Sequence, residues 1–214
     1  MLTRWKKRSK LIIIAAAMVF LILPAAVIAL FLLGNSWGLT LSTVTAQSLP
    51  QKDSVVIDYP DSYLLGHENL FEFQGKNQCA GYSAAYVMRF FGHDVLGEDA
   101  YNQMQYKLSS GYVLPQAVVD YLNENEIESK LVTSNLEQLK THVSRGKPII
   151  VLIGNGRHWQ HYLTVVGYDE EYIYLVDTLK EESEKPYNRA MTEEDFVSQW
   201  NNKIPLFERT AFVY

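Results

Sequence analysis

The first apolar segment of the chain has no period. Residues 11–33 carry no charge and are almost wholly apolar. That length suits a helix spanning a bilayer, which needs roughly 20 apolar residues. Pro24 is tolerated inside such a helix. A secretory signal has a shorter apolar region, about 7–15 residues, so the pattern predicts an uncleaved anchor. The small residues around Thr45-Ala46-Gln47 are the competing cleavage site. Residues 1–10 form a basic tail, 34–51 an uncharged stalk rich in Ser, Thr, Gly and Leu, and 52–214 one domain.

Within that domain the spacing alternates between helical and extended. Val55-Val56-Ile57 reads as an edge strand or an extended lead-in to Pro60. Ala80, Ala84, Val87, Met88 and Phe91 then recur at helical spacing, with Gly92 as a stop. They predict a helix headed by Cys79, with Arg89 as its only formal charge, which belongs in a core. Further helices are predicted over Leu96–Leu108, over Leu114–Asn125 with Pro115 in the first turn, and over Asn135–Ser144 with Asn135 as N-cap. Ile127–Thr133 fits a short strand. Pro148–Ile153 is an unbroken apolar run, the pattern of a strand buried on both faces. His161–Tyr168 and Tyr172–Val176 flank Asp169-Glu170 as a hairpin. Thr192 caps a helix to about Trp200, and Phe207–Tyr214 closes the chain as a strand. Helices first and an antiparallel sheet afterwards is an α+β order.

Charge adds an orientation. Arg4, Lys6, Lys7, Arg8 and Lys10 precede the apolar run, and no charge of either sign follows it until Lys52. The basic side stays in the cytoplasm, so the predicted protein is a single-pass cell-membrane protein with its domain outside. The chain holds 19 Lys and Arg against 24 Asp and Glu; without the N-terminal bases the balance is 14 against 24. Such an acidic domain excludes nucleic acid as a partner, since that needs a basic surface. It also gives no reason to lie on anionic lipid. The single cysteine cannot form an internal disulfide, and a lone thiol outside the cytoplasm is either buried or used. No Cys/His cluster has metal-ligand spacing, so neither a metal nor another cofactor is expected.

A thiol at a helix N-terminus faces the positive end of the dipole, which favours the nucleophilic thiolate. The plain alternative is a small buried cysteine. A cysteine nucleophile needs a base, a group to orient that base, and donors for the oxyanion. Among the five histidines, His67 lies in a loop-like stretch and His142 on the polar side of a helix. His93 is at the far end of the cysteine helix, about 20 Å away at 1.5 Å per residue. His158 and His161 remain. His161 opens one strand of the predicted hairpin and Asp177 ends the other. If the chain reverses about Asp169 the two residues face each other, and the carboxylate can hold the imidazole and support its charge. This requires an odd-length loop or a bulge; a two-residue loop would pair Tyr162 with Asp177 instead. His158 has no comparable carboxylate. Oxyanion donors are expected from the Cys79 N–H and an upstream amide, with Gln74, Asn77 and Gln78 as candidates. Gln78 directly precedes the cysteine, whereas Gln74 stands far enough back for a loop to return it.

A glutamine, a cysteine heading an apolar helix, and then HYLTVVGYDEEYIYLVDT in the order Gln, Cys, His, Asp resembles the papain-like peptidases of the C39 and C39-like type. The resemblance covers residues 71–214. It implies a papain-like fold, with the cysteine helix packed on the sheet. It also implies Cys79 as nucleophile, His161 as base, Asp177 as orienting acid, Gln74 as oxyanion donor, and a peptide or protein substrate. Two features depart from the type: Ala80 follows Cys79 where glycine is more usual, and the Gln74–Cys79 spacing is one residue shorter than in papain-like enzymes. Well-known members cut leader peptides after a double glycine, on the cytosolic side of an export transporter. No transporter domain is expected here and the site is expected outside, so that substrate does not carry over. The leading expectation is a membrane-anchored thiol hydrolase. The competing ones are a non-catalytic binding module on the same fold and a cell-wall amidase or transpeptidase.

Overall fold

The structure is a computed structural model that describes residues 47–214, apart from 67, 68 and 157. The basic tail, the expected span over 11–33, nearly all of the stalk and His67 lie outside the described residues. Among the described residues no helix is long and apolar enough to cross a membrane.

The elements run β1 (Gln51–Lys52), β2 (Tyr63–Leu64), α1 (Cys79–Phe90), α2 (Gly97–Gln103), α3 (Pro115–Glu124), β3 (Lys130–Thr133), α4 (Leu136–Ser144), β4 (Ile149–Gly154), β5 (Gln160–Tyr168), β6 (Tyr172–Val176), β7 (Arg189–Thr192), α5 (Glu193–Trp200) and β8 (Thr210–Val213). The strands form one sheet in the order β1-β3-β8-β4-β5-β6-β7, with β2 against β5. All pairs are antiparallel except β1 with β3. This is the expected α+β class, with a parallel pair at one edge that the sequence reading lacked.

The sheet carries a core on each face, and the all-apolar β4 serves both. Ile150 and Leu152 pack with α1 and α3 through Ala84, Met88, Val118 and Leu122. Ile149, Val151 and Ile153 pack with α4 and α5 through Leu139, Val143, Phe196 and Trp200. Each side chain of this kind stabilises the fold by about 1.5–3 kcal/mol when fully buried. The helix headed by Cys79 is therefore held against the sheet along its length. Helix α2 crosses it closely: a Cβ on Gly81 would lie 2.5 Å from the Tyr101 backbone.

Helix ends follow local chemistry. In α1, the left-handed Gly92 (φ 91°) turns the chain after Phe91, and His93 N–H donates to Met88 O at 3.1 Å. In α4, Asn135 and Gln138 exchange side-chain to backbone hydrogen bonds at 2.8 and 3.0 Å, a capping box. Thr192 caps α5 by accepting from Asp195 N–H at 3.2 Å. Two expectations are corrected. The predicted helix over 96–108 is shorter, because the backbone turns extended at Met104 (ψ 139°). Of the two readings of Val55–Ile57 the edge strand is not formed: Val56 and Ile57 are exposed, and the strand forms earlier, at Gln51–Lys52, where an apolar alternation is missing.

Candidate active site

Three segments converge on the thiol. The first is the turn before α1. Asn77 adopts a left-handed φ of 61°, which asparagine tolerates, and its amide donates to Ser110 O at 2.6 Å. Gln78 N–H donates to Gly75 O at 3.3 Å. Upstream, Arg89 of α1 donates to Glu72 Oε2 at 2.6 Å and Asn69 Oδ1 at 3.0 Å, tying the incoming loop to the helix. Cys79 then begins α1, 3 % exposed. Its backbone N–H, at an unsatisfied helix start, has no acceptor among the described residues.

The second segment is the β5–β6 hairpin. Tyr168 pairs with Ile173 and Gly167 with Tyr174; beyond a bulge at Val166, Val165 pairs with Leu175 and Thr164 with Val176. Without the bulge, the turn's own register would put Asp177 opposite Thr164, on the other side of the strand from His161. The bulge inserts one residue and restores the side. The expected direct opposition is corrected accordingly: β6 ends at Val176 opposite Thr164, and that register carried one residue further puts Leu163, not His161, across from Asp177. Close approach is achieved all the same. His161 Nε2 lies 2.8 Å from Asp177 Oδ1, and the two side chains are 8 % and 2 % exposed.

With Nε2 engaged by the carboxylate, Nδ1 is the ring nitrogen left for the thiol, which lines the same cleft. Burial alone would push the imidazole down. Its hydrogen bonds to Asp177 and Cys79 and the charges of both outweigh that and raise it from 6.5 to about 9. Burial would likewise raise Asp177. The hydrogen bond and charge of His161, the Leu179 N–H and Arg189 instead hold it at about 2. The pair is an imidazolium facing a carboxylate.

The third segment is Gln74. Its N–H donates to Thr178 O at 2.9 Å, and its Oε1 accepts from the Thr178 hydroxyl at 2.5 Å. The residue after Asp177 thus orients the glutamine. One N–H of its amide donates to Gly75 O at 3.1 Å, and an amide nitrogen carries a second. Gln74, Cys79, His161 and Asp177 line one cleft of ≈ 530 Å³. Asn77 also lines it, while Gln78 does not.

The other histidines stand apart. His158 is exposed and lines a neighbouring cavity. His93 and His142 line another cavity of ≈ 680 Å³, near the C-terminal end of α1, whose lining has no cysteine, serine or threonine; we place the site at the cleft that holds the thiol. His142, expected on a polar helix face, is instead mostly buried against Asp53 at 3.0 Å. Two contributors escaped the sequence reading, Asn188 and Arg189. Arg189 Nη1 donates to Asp177 Oδ2 at 2.9 Å. Asn188 accepts from Asp177 N–H at 2.7 Å and donates to its carbonyl at 3.0 Å. Asn188 directly precedes β7 and Arg189 opens it, and the short RAMT pattern follows a long polar loop that masks it.

A papain-like α+β fold that brings a thiol, an imidazole and a carboxylate to one cleft defines a class, the papain-like cysteine peptidases. Within it, residues 62–204 match the model of the Peptidase_C39 like family, and the chain belongs to that family. It is thus a cysteine peptidase whose substrate is unknown. No curated protein sequence matches the chain. Solved structures show the fold. One, described as a C39-like peptidase from Bacillus anthracis, is 15 % identical with TM-score 0.58, covering 71 % of this chain and 96 % of that one. The peptidase domain of Streptococcus ComA, a bi-functional ABC transporter, is 16 % identical with TM-score 0.52, covering 68 % and 96 %. A double glycine motif protease from an AMS/PCAT transporter, in complex with its leader peptide, is 16 % identical with TM-score 0.50, covering 78 % and 97 %.

Proposed function

We propose that the protein is a membrane-anchored, extracytoplasmic peptidase using a Cys79–His161–Asp177 triad. The observation that carries the reading is the 2.8 Å contact of His161 Nε2 with Asp177, which leaves Nδ1 for the thiol in a shared cleft. In this reading the Cys79 thiolate attacks the carbonyl carbon of a peptide bond. The oxyanion is held by the Cys79 N–H and the Gln74 amide. His161 gives its Nδ1 proton to the departing amine, leaving a thioester on Cys79. His161 then takes a proton from water, which attacks the thioester and releases the acid and the thiolate. Asp177 keeps the ring oriented and its charge supported throughout. A peptide ligand suits the fold, since a structurally similar protease holds a leader peptide.

The anchor is assigned to residues 11–33, behind the bases between Arg4 and Lys10, with the domain outside. One experiment addresses chemistry and placement together. The full chain is produced in cells as wild type and as Cys79→Ser. Peptide turnover falls by nearly all its value in the variant, because a serine hydroxyl is not ionised by a base tuned for a thiol. Protease added to intact cells removes the domain of both. Turnover that survives Cys79→Ser contradicts the mechanism; a domain cut only after lysis contradicts the orientation.

A further inference from the structure

The cleft around Cys79 differs in charge from the domain that carries it. Three cationic side chains line it, Lys76, Lys180 and Arg189, against one carboxylate, Asp177. That carboxylate is already engaged at both oxygens. Oδ1 accepts from His161 and from Leu179 N–H, at 2.8 and 2.9 Å, and Oδ2 accepts from Arg189 at 2.9 Å. Lys76 and Lys180 are exposed. Neither side chain has a hydrogen bond or ion pair within the described residues, and Arg189 uses only Nη1 of its guanidinium. The imidazolium of His161 adds a further positive charge. Elsewhere the excess is acidic, since the chain beyond its N-terminal tail holds 14 bases against 24 acids. The acids that follow Lys180, namely Glu181, Glu182 and Glu184, are exposed and do not line the cleft.

A positive recess on a negative surface focuses the field at one place and repels anions from the rest. We propose that this cleft selects substrates carrying a carboxylate within a residue or two of the bond cleaved, held by Lys76, Lys180 and the open edge of Arg189. The inference deepens the peptidase reading and rests on it. Arginine offers a fork that matches a carboxylate, and the lysines supply point charges on flexible stems. A basic side chain at the same place meets three like charges. The carboxylate has two possible sources, an acidic side chain or a free C-terminus.

Two measurements on the full chain test this. The first compares alkylation of Cys79 by anionic iodoacetate and neutral iodoacetamide, with no substrate involved. The ratio of the two rates falls by about fivefold in Lys76→Gln/Lys180→Gln, and in the wild type it falls with added salt. The second uses peptides matched except for Glu, Gln or Lys beside the bond cleaved, each with free and amidated C-termini. Glu is preferred to Gln by about tenfold in kcat/KM, and the preference shrinks in the double variant. A preference that follows the free C-terminus and ignores Glu assigns the carboxylate to the chain end. Equal cleavage of Glu, Gln and Lys peptides, with an alkylation ratio unmoved by the double substitution, overturns the proposal. If no peptide is cleaved but the alkylation ratio falls as stated, the anionic site stands and the peptidase reading fails.

Discussion

Two histidine–aspartate pairs with buried carboxylates lie among the described residues, and their surroundings differ. His161 meets Asp177 at 2.8 Å and His142 meets Asp53 at 3.0 Å, with both carboxylates at most 4 % exposed. Asp53 also accepts from the Ser134 hydroxyl at 2.5 Å and from Val55 N–H at 3.0 Å. Its own N–H donates to Thr133 O, and its carbonyl accepts from Gln138. The far pair therefore fastens the chain after β1 to β3 and α4. It even assembles a serine, a histidine and an aspartate, but serine and histidine both bond to the carboxylate, so the imidazole is not hydrogen-bonded to the hydroxyl. In the near pair the carboxylate holds one ring nitrogen and the other faces a thiol in a cleft. A histidine–aspartate pair is thus not a site by itself; the third group and its order in the network make one.

Substitution at the two pairs separates the roles most sharply. His161→Ala removes nearly all turnover, a loss of about 10³-fold or more for a base acting on a nucleophile. His142→Ala leaves kcat/KM near the wild-type value and lowers the melting temperature instead. Comparable activity losses in both variants erase the distinction. Gln74→Ala is the next largest effect, about 10²–10³-fold in kcat for one oxyanion donor. Should Gln78→Ala give that loss and Gln74→Ala none, the turn before α1 supplies a different amide.

The smallest effects come from the carboxylates. Asp177→Asn keeps the fold and loses about ten- to a hundredfold in rate, since the amide still holds the ring but does not support its charge. Asp53→Asn leaves the rate and costs about 1–3 kcal/mol of stability, as expected for an impaired buried hydrogen-bond network. The near pair also ties stability to pH at both ends of the range. His161 is raised in the fold, so its contribution to stability is complete below about 6.5 and is lost as pH rises through about 9. Asp177 is depressed, so its contribution is complete above about 3.8 and is lost as pH falls through about 2. Urea unfolding across that range shows both limbs in the wild type. In Asp177→Asn the alkaline loss becomes smaller; an unchanged alkaline limb contradicts the pairing.

Much of this was legible in the sequence because periodicity and chemistry agreed. The stripe after Cys79 and the unbroken Pro148–Ile153 run each admitted one placement, a core helix and a strand buried on both faces. The hairpin was legible only in outline. Sequence alone required an odd-length loop or a bulge to bring His161 and Asp177 to one side, and the fold supplies the bulge at Val166. Nothing in the apolar spelling of Val165-Val166-Gly167 says which residue is inserted, because all are small enough to sit on either side. Arg189 was hidden for another reason. It ends a polar stretch that reads as solvated loop, and its partner becomes visible only when β7 pairs with β6. For His142 the polar helix face left open whether the ring is solvated or serves local structure; the segment carrying Asp53 covers it and makes it structural.

The central claim is that Cys79 and His161 form a thiolate–imidazolium pair. It is tested most directly by the rate of Cys79 alkylation by iodoacetamide from pH 4 to 10, in the wild type and in His161→Ala. At pH 6 the wild-type thiol reacts about tenfold or more faster than that of His161→Ala, because the thiolate is the nucleophile and the imidazole beside it is the base that generates it. Equal rates in the two proteins across the range contradict the claim.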